Sequence, residues 1–139
     1  MKEFLDTSVL VAAFLGDHEH HESSLELFAG LDAKRGACAG HSLLEVYATL
    51  TRLPGQQRVG GAEVMLFFDE VRRRLQVIVL DPEEYFDLVS HVASAGIAGG
   101  AIYDAQIGRC AVKARARTLY TWNLRDFSRL GLSMHVRTP

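Results

Sequence analysis

The sequence predicts an α/β/α sandwich built on a mainly parallel central sheet, with residues 1–139 forming one domain. Two observations carry this. Short apolar runs alternate along the whole chain with stretches of helical periodicity, the pattern of a parallel sheet covered by helices on both faces. The chain also has 139 residues, 48% hydrophobic and 23% charged, which suffices for one core and excludes a disordered or fibrous composition. No internal repeat, low-complexity tract or Pro/Gly/Ser-rich linker divides it.

The elements follow in order. Lys2–Leu5 reads as a first strand and Ser8–Leu15 as a short apolar helix. The polar run GDHEHHESS leads into a second helix ending near Gly30. Gly36–Ala39 is a weak strand, and His41–Leu53 is helical, stopped by Pro54-Gly55. Ala62–Leu75 is an amphipathic helix, and Gln76–Leu80 (QVIVL), rich in β-branched residues, is the clearest strand. Asp81-Pro82 begins a helix running to about Ser94, with the proline in its first turn. The glycine-rich GIAGGA separates it from a helix over roughly Asp104–Ala116. Thr118–Trp122 is a strand, Leu124–Leu130 a short helix, and Met134–Val136 a last strand.

Composition excludes several classes. No apolar run reaches the ~18–20 residues that span a bilayer. No basic segment precedes an apolar stretch as in a secretory leader, so a cytoplasmic protein with no membrane partner is expected. Cys38 and Cys110 form no CxxC pair, which argues against a disulfide framework or a cysteine zinc site and for reduced, buried thiols. The net charge of -2 suggests no nucleic-acid partner by itself, but residues 1–104 carry a net -8 and residues 105–139 a net +6. An acidic body with a basic C-terminal quarter suits metal on one part and phosphate on another, unless folding disperses both signs.

In parallel sheets, polar residues at the C-terminal strand ends gather at one rim, where ligands bind. Asp6 follows the first strand, Asp126 follows TLYTW by a turn, and Asp104 opens a helix after the glycines. Each also has a purely structural explanation: Asp6 and Asp104 as helix caps, Asp126 as a first-turn acid favoured by the helix dipole. Glu45 is harder to dismiss. It lies in the apolar SLLEVYATL, where a carboxylate is costly unless paired or metal-bound.

Together, FLDTSVLVA around Asp6, HSLLEVYATLTR around Glu45, IYDAQIGRCA around Asp104 and LYTWNLRDF near the C-terminus resemble the PIN-domain ribonucleases. The likeness is to the branch of VapC-type toxins of bacterial toxin–antitoxin pairs and covers essentially the whole chain as one PIN-like domain. It implies that Asp6, Glu45 and Asp104 are catalytic metal-binding acids. The fourth position falls on Asn123 or Asp126; the neutral asparagine is the weaker ligand, so Asp126 is favoured with Asn123 assisting. Thr7, Ser8 and Thr121 match polar residues lining the family's pocket.

Oxygen ligands without cysteine or a histidine triad favour Mg²⁺ or Mn²⁺. Clustered carboxylates raise one another's pKa unless a cation neutralises them, and the cation then lowers the pKa of a bound water. The resemblance implies hydrolysis of single-stranded or looped RNA to 5′-phosphate and 3′-hydroxyl ends. It also implies a homodimer neutralised by a cognate VapB-type antitoxin whose C-terminal segment crosses the active-site groove.

Two other functions are compatible with the letters: a catalytically degenerate PIN-like module that binds RNA or a protein without cutting, and a phosphatase of haloacid-dehalogenase type using Asp6. The second lacks an aspartate two residues on. His18, His20 and His21, among Glu19 and Glu22, read as a solvated face. GIAGGA lacks a P-loop ending and reads as a lead into Asp104. Arg72, Arg73 and Arg74 read as a solvated helix end. Trp122, Phe67 and Phe68 read as core or interface. The Ala62–Leu75 helix either packs on the core or offers an apolar surface to a partner.

Overall fold

The computed structural model describes residues 2–139. Among them, five strands form one sheet: β1 (Lys2–Leu5), β2 (Gly36–Ala39), β3 (Gln76–Ile78), β4 (Ala116–Tyr120) and β5 (His135–Arg137). Their order is β3-β2-β1-β4-β5, and every neighbouring pair is parallel. The helices are α1 (Thr7–Phe14), α2 (His21–Ala29), α3 (Gly40–Thr51), α4 (Gly61–Arg74), α5 (Pro82–Ser94), α6 (Ala101–Lys113) and α7 (Leu124–Ser128).

Alternation along the strands separates two cores. Phe4, Ala37 and Leu119 meet Leu88 and Val92 of α5, Ile107 and Cys110 of α6, and Phe127 of α7. One residue further on, Leu5 and Cys38 meet Val9 and Leu10 of α1, Phe28 of α2, Val46 and Leu50 of α3, and Val64 and Val71 of α4. Burying such a side chain fully is worth about 1.5–3 kcal/mol, so the sheet is held from both sides. Both cysteines are reduced and buried.

Two of the expected elements shift, and a third, weak one is found where expected. QVIVL, expected to be the clearest strand, pairs only over Gln76–Ile78, at the sheet edge, with Val79 60% exposed. The helix expected at Asp104–Ala116 runs from Ala101 to Lys113. Gly99 takes a positive φ of 65° and Gly100 caps the helix, so the glycines end before Ala101 and the next three residues are helical. Asp104 is therefore no helix cap but a first-turn residue. The weak strand at Gly36 is real because glycine alone fits there. A Cβ on Gly36 would come within 2.6 Å of Leu75 Cδ2 and 2.9 Å of the Arg74 carbonyl.

The strand order positions the site. From β1 the chain winds outward through β2 and β3 on one side, and through β4 and β5 on the other. The crevice between the C-terminal ends of β1 and β4 is thus the topological switch point, where α/β sheets bind ligands.

Candidate active site

Asp6 stands at that switch point. Its backbone N–H donates to the carbonyl of Tyr120, the last residue of β4 (3.0 Å), so the carboxylate is pinned between the two strands. The side chain is 2% exposed and N-caps α1. Ser8 Oγ and Thr121 Oγ1 each donate to Asp6 Oδ2 at 2.8 Å, and the Ser8 N–H reaches the same oxygen at 3.4 Å. Oδ1 accepts none of these bonds. Burial pushes the Asp6 carboxyl above its usual range, against the pull of the two hydroxyls. The cap explanation is therefore true and insufficient, because a surface cap needs no buried threonine behind it.

Glu45 reaches the same place from the second turn of α3, on the other side of β1. Thr7 Oγ1 donates to Glu45 Oε1 at 2.8 Å and lies 2.9 Å from Ser42 Oγ, while His41 Nε2 is 3.9 Å from the same carboxylate oxygen. Asp104 comes from the first turn of α6. Asp6, Thr7, Ser8, Glu45, Asp104 and Asn123 line one cavity of about 450 Å³. Asp126 lines a second cavity of about 490 Å³ that shares Asp104 with the first and also holds Arg129. Asn123 and Asp126 thus flank Asp104 from different cavities: the asparagine faces the acidic one, and the aspartate lends its charge from next door. Thr121 is fully buried behind Asp6.

The electrostatics of the site are dominated by clustered negative charge. The Asp104 carboxyl is pushed up to about 6, by burial first and then by the negative charges of Asp6, Asp126 and Glu45. Four acids from distant parts of the chain therefore sense one another at a single residue. Among the described residues no three His, Cys, Asp or Glu side chains close into a ready-made cage. Mutual repulsion opposes such closure without a counter-charge. The side chains around Asp104 offer carboxylate, hydroxyl and amide oxygen, which fits a hard divalent cation, with the imidazoles of His18 and His20 elsewhere on the wall.

Three residues on the cavity wall had been assigned elsewhere by the sequence. His18, His20 and Trp122 all line it; the histidines read as solvated, and Trp122, which reads as core or interface, packs partly buried against the core as well. The imidazole of His20 stacks on the indole of Trp122, 3.7 Å between centroids and 7° between planes. No spacing rule would have paired them, because they lie at opposite ends of the chain. Phe67 does pack in the core against Phe14 and Phe28, and Arg73 and Arg74 pair with Glu70 on the surface, as expected. Part of the basic quarter is neutralised: Arg109 pairs with Asp87, Lys113 with Glu84, and Arg117 with Glu3.

Comparison with known proteins gives a consistent result. The PIN domain pattern matches residues 4–131. Over 137 residues the chain is 36% identical to Ribonuclease VapC40 of Mycobacterium tuberculosis, covering 96% of this chain and 97% of that one. Among solved structures, the M. tuberculosis VapC20 toxin, described as cleaving the sarcin–ricin loop, superposes with a TM-score of 0.75 at 18% identity, covering 94% of this chain and 96% of that chain. VapBC2 of Rickettsia felis, solved bound to a DNA fragment from its promoter, superposes with a TM-score of 0.66 at 21% identity, covering 99% of this chain and 98% of that chain.

Proposed function

The chain belongs to the PIN-domain family, and on that premise we propose that it is a metal-dependent endoribonuclease, the toxin of a toxin–antitoxin pair. The observation that carries this reading is the convergence on Asp104 of charge from Asp6, Glu45 and Asp126. Such a cluster is unfavourable unless a cation occupies it, and a carboxylate set suits Mg²⁺ or Mn²⁺.

Asp6, Glu45 and Asp104 would hold the ion, with Asp126 as the fourth acid and Asn123 as a neutral oxygen beside it. A bound ion of this kind supplies Lewis acidity and a water of lowered pKa. The chain's own residues do the positioning. Thr121 and Ser8 hold Asp6 in one rotamer through Oδ2. Thr7 does the same for Glu45 through Oε1. An RNA phosphodiester placed against this wall is attacked by water in line with its leaving oxygen, leaving 5′-phosphate and 3′-hydroxyl ends. The substrate is single-stranded or looped RNA, in keeping with the loop-cleaving relative.

The protein partner is a VapB-type antitoxin, in keeping with the VapBC neighbour. A cationic side chain of its C-terminal segment would be drawn into the acidic cavity. The working unit is a homodimer in the cytoplasm, and among the described residues no helix is long and apolar enough to cross a membrane. A non-cleaving module has no support in the site, whose three cavity acids are all present. The match to the PIN pattern displaces the phosphatase reading.

The test is cleavage of a structured RNA by the purified protein, with the product ends sequenced. Cleavage that stops in EDTA, returns with Mg²⁺ or Mn²⁺, and leaves 5′-phosphates supports the proposal. Cleavage unaffected by EDTA contradicts it.

A further inference from the structure

We propose that the imidazole of His20, backed by the indole of Trp122, is the platform on which a nucleobase adjacent to the scissile phosphate stacks. This deepens the nuclease reading and rests on it. His20 is the residue before α2, in the position of an N-cap, yet its side chain makes no capping hydrogen bond. The ring is instead held by two contacts of its own, and its backbone by a third. Trp122 covers one face at 3.7 Å and 7°. Glu19 Oε1 lies 3.3 Å from Nε2, and the His20 backbone N–H donates to His18 Nδ1 at 3.1 Å. The His20 side chain is 37% exposed, and it lines the cavity that holds Asp6, Glu45 and Asp104.

Trp122 cannot turn to meet a ligand by hydrogen bonding. Its indole N–H donates to the fully buried Ser24 Oγ at 2.8 Å, and its backbone N–H donates to Ser8 Oγ at 3.0 Å. The indole is thus a rigid backing anchored to α2 and to the Asp6 hydrogen-bond network. A flat ring held parallel on a flat ring, on the wall of the cavity that holds the acids and with the His18 ring tilted beside it at 5.7 Å, suits a base, since every nucleobase offers a π-face. The chemistry favours no one base, so the platform strengthens binding of any nucleotide and adds nothing to that of a bare sugar-phosphate.

Trp122 is the chain's single tryptophan, so its fluorescence reports on this stack alone. The experiment titrates full-length protein in Mg²⁺ with adenosine and uridine 5′-monophosphates and with ribose 5-phosphate. The nucleotides should quench Trp122 saturably and bind more tightly than ribose 5-phosphate. His20→Ala should weaken nucleotide binding about 5- to 100-fold and leave ribose 5-phosphate unchanged, whereas His20→Phe should stay within a few-fold of wild type. In RNA cleavage, His20→Ala should raise KM more than it lowers kcat. Equal binding of nucleotides and ribose 5-phosphate, or nucleotide binding indifferent to His20→Ala, would overturn the platform. Binding is read without turnover, so the two ideas separate: base stacking with no RNA cleavage would remove the nuclease reading alone, and cleavage with no base stacking the platform alone.

Discussion

Asp104 is the acid on which burial and three neighbouring negative charges act together. Its carboxyl stands at about 6 against an ordinary 3.8, so the folded chain holds that proton more tightly than the unfolded chain does. In the metal-free protein this group therefore favours the fold at low pH, and the benefit is lost as pH rises from about 4 to about 6. Asp104→Asn removes the group. We expect metal-free Asp104→Asn to melt above wild type at pH 7 and close to it at pH 4, and to lose cleavage by at least about 100-fold. Thermal melts across that range and a cleavage assay check both; normal turnover in the variant would contradict the role assigned to Asp104. Thr121→Val keeps the shape behind Asp6 and removes one donor to Oδ2. A supporting residue of that kind is worth about 10- to 100-fold in metal affinity, measurable by Mn²⁺ titration. At this scale the acids were legible because their neighbours were informative: Glu45 sits in an apolar run, and Asp6 ends a strand. His20 and Trp122 were not, because a polar run and a lone aromatic say nothing of a contact made only by folding.

The elements are mostly legible, and the two main differences have separate causes. Clustered glycines suggest a loop, but a glycine at positive φ ends a turn abruptly and the helix after it starts at once. That moved the start of α6 to Ala101 and put Asp104 inside the first turn, where its side chain can face the cavity. β-branched content overstated β3, since an edge strand pairs on one side only and needs fewer residues than its composition suggests. The start of α5 was read correctly from Asp81-Pro82, and its capping box is complete: Asp81 accepts from the Glu84 N–H at 2.8 Å and Glu84 from the Asp81 N–H at 2.9 Å. Asp81→Ala should lower stability by about 1 kcal/mol, seen as an earlier denaturant midpoint, while metal affinity and cleavage are unchanged. A loss of activity there would tie α5 to the site in a way the geometry does not.

For the whole molecule, the fold does most to build the site. A parallel sheet with its switch point at β1 and β4 sets Asp6 centrally, and α3 and α6 carry Glu45 and Asp104 to the same rim. The division of charge along the chain was a weaker guide. Folding ties Arg109 and Lys113 to surface acids, in pairs worth little individually, and Arg117 to the buried Glu3. Arg129 is different, because it lines the cavity beyond Asp104 together with Asp126. Arg129→Gln should weaken RNA binding and reduce its salt dependence by about one unit of slope, with Mn²⁺ affinity unchanged. A salt titration of RNA binding measures this; an unaltered slope would place RNA elsewhere.

Calorimetric titration of Mn²⁺ into the metal-free protein, beside Asp6→Asn, Glu45→Gln and Asp104→Asn, bears most directly on whether residues from three separate segments serve a common ion. Saturable binding by wild type, weakened at least about tenfold by each substitution, is the predicted result. Binding of equal strength in wild type and all three variants would show that the ion sits elsewhere and would contradict the shared site.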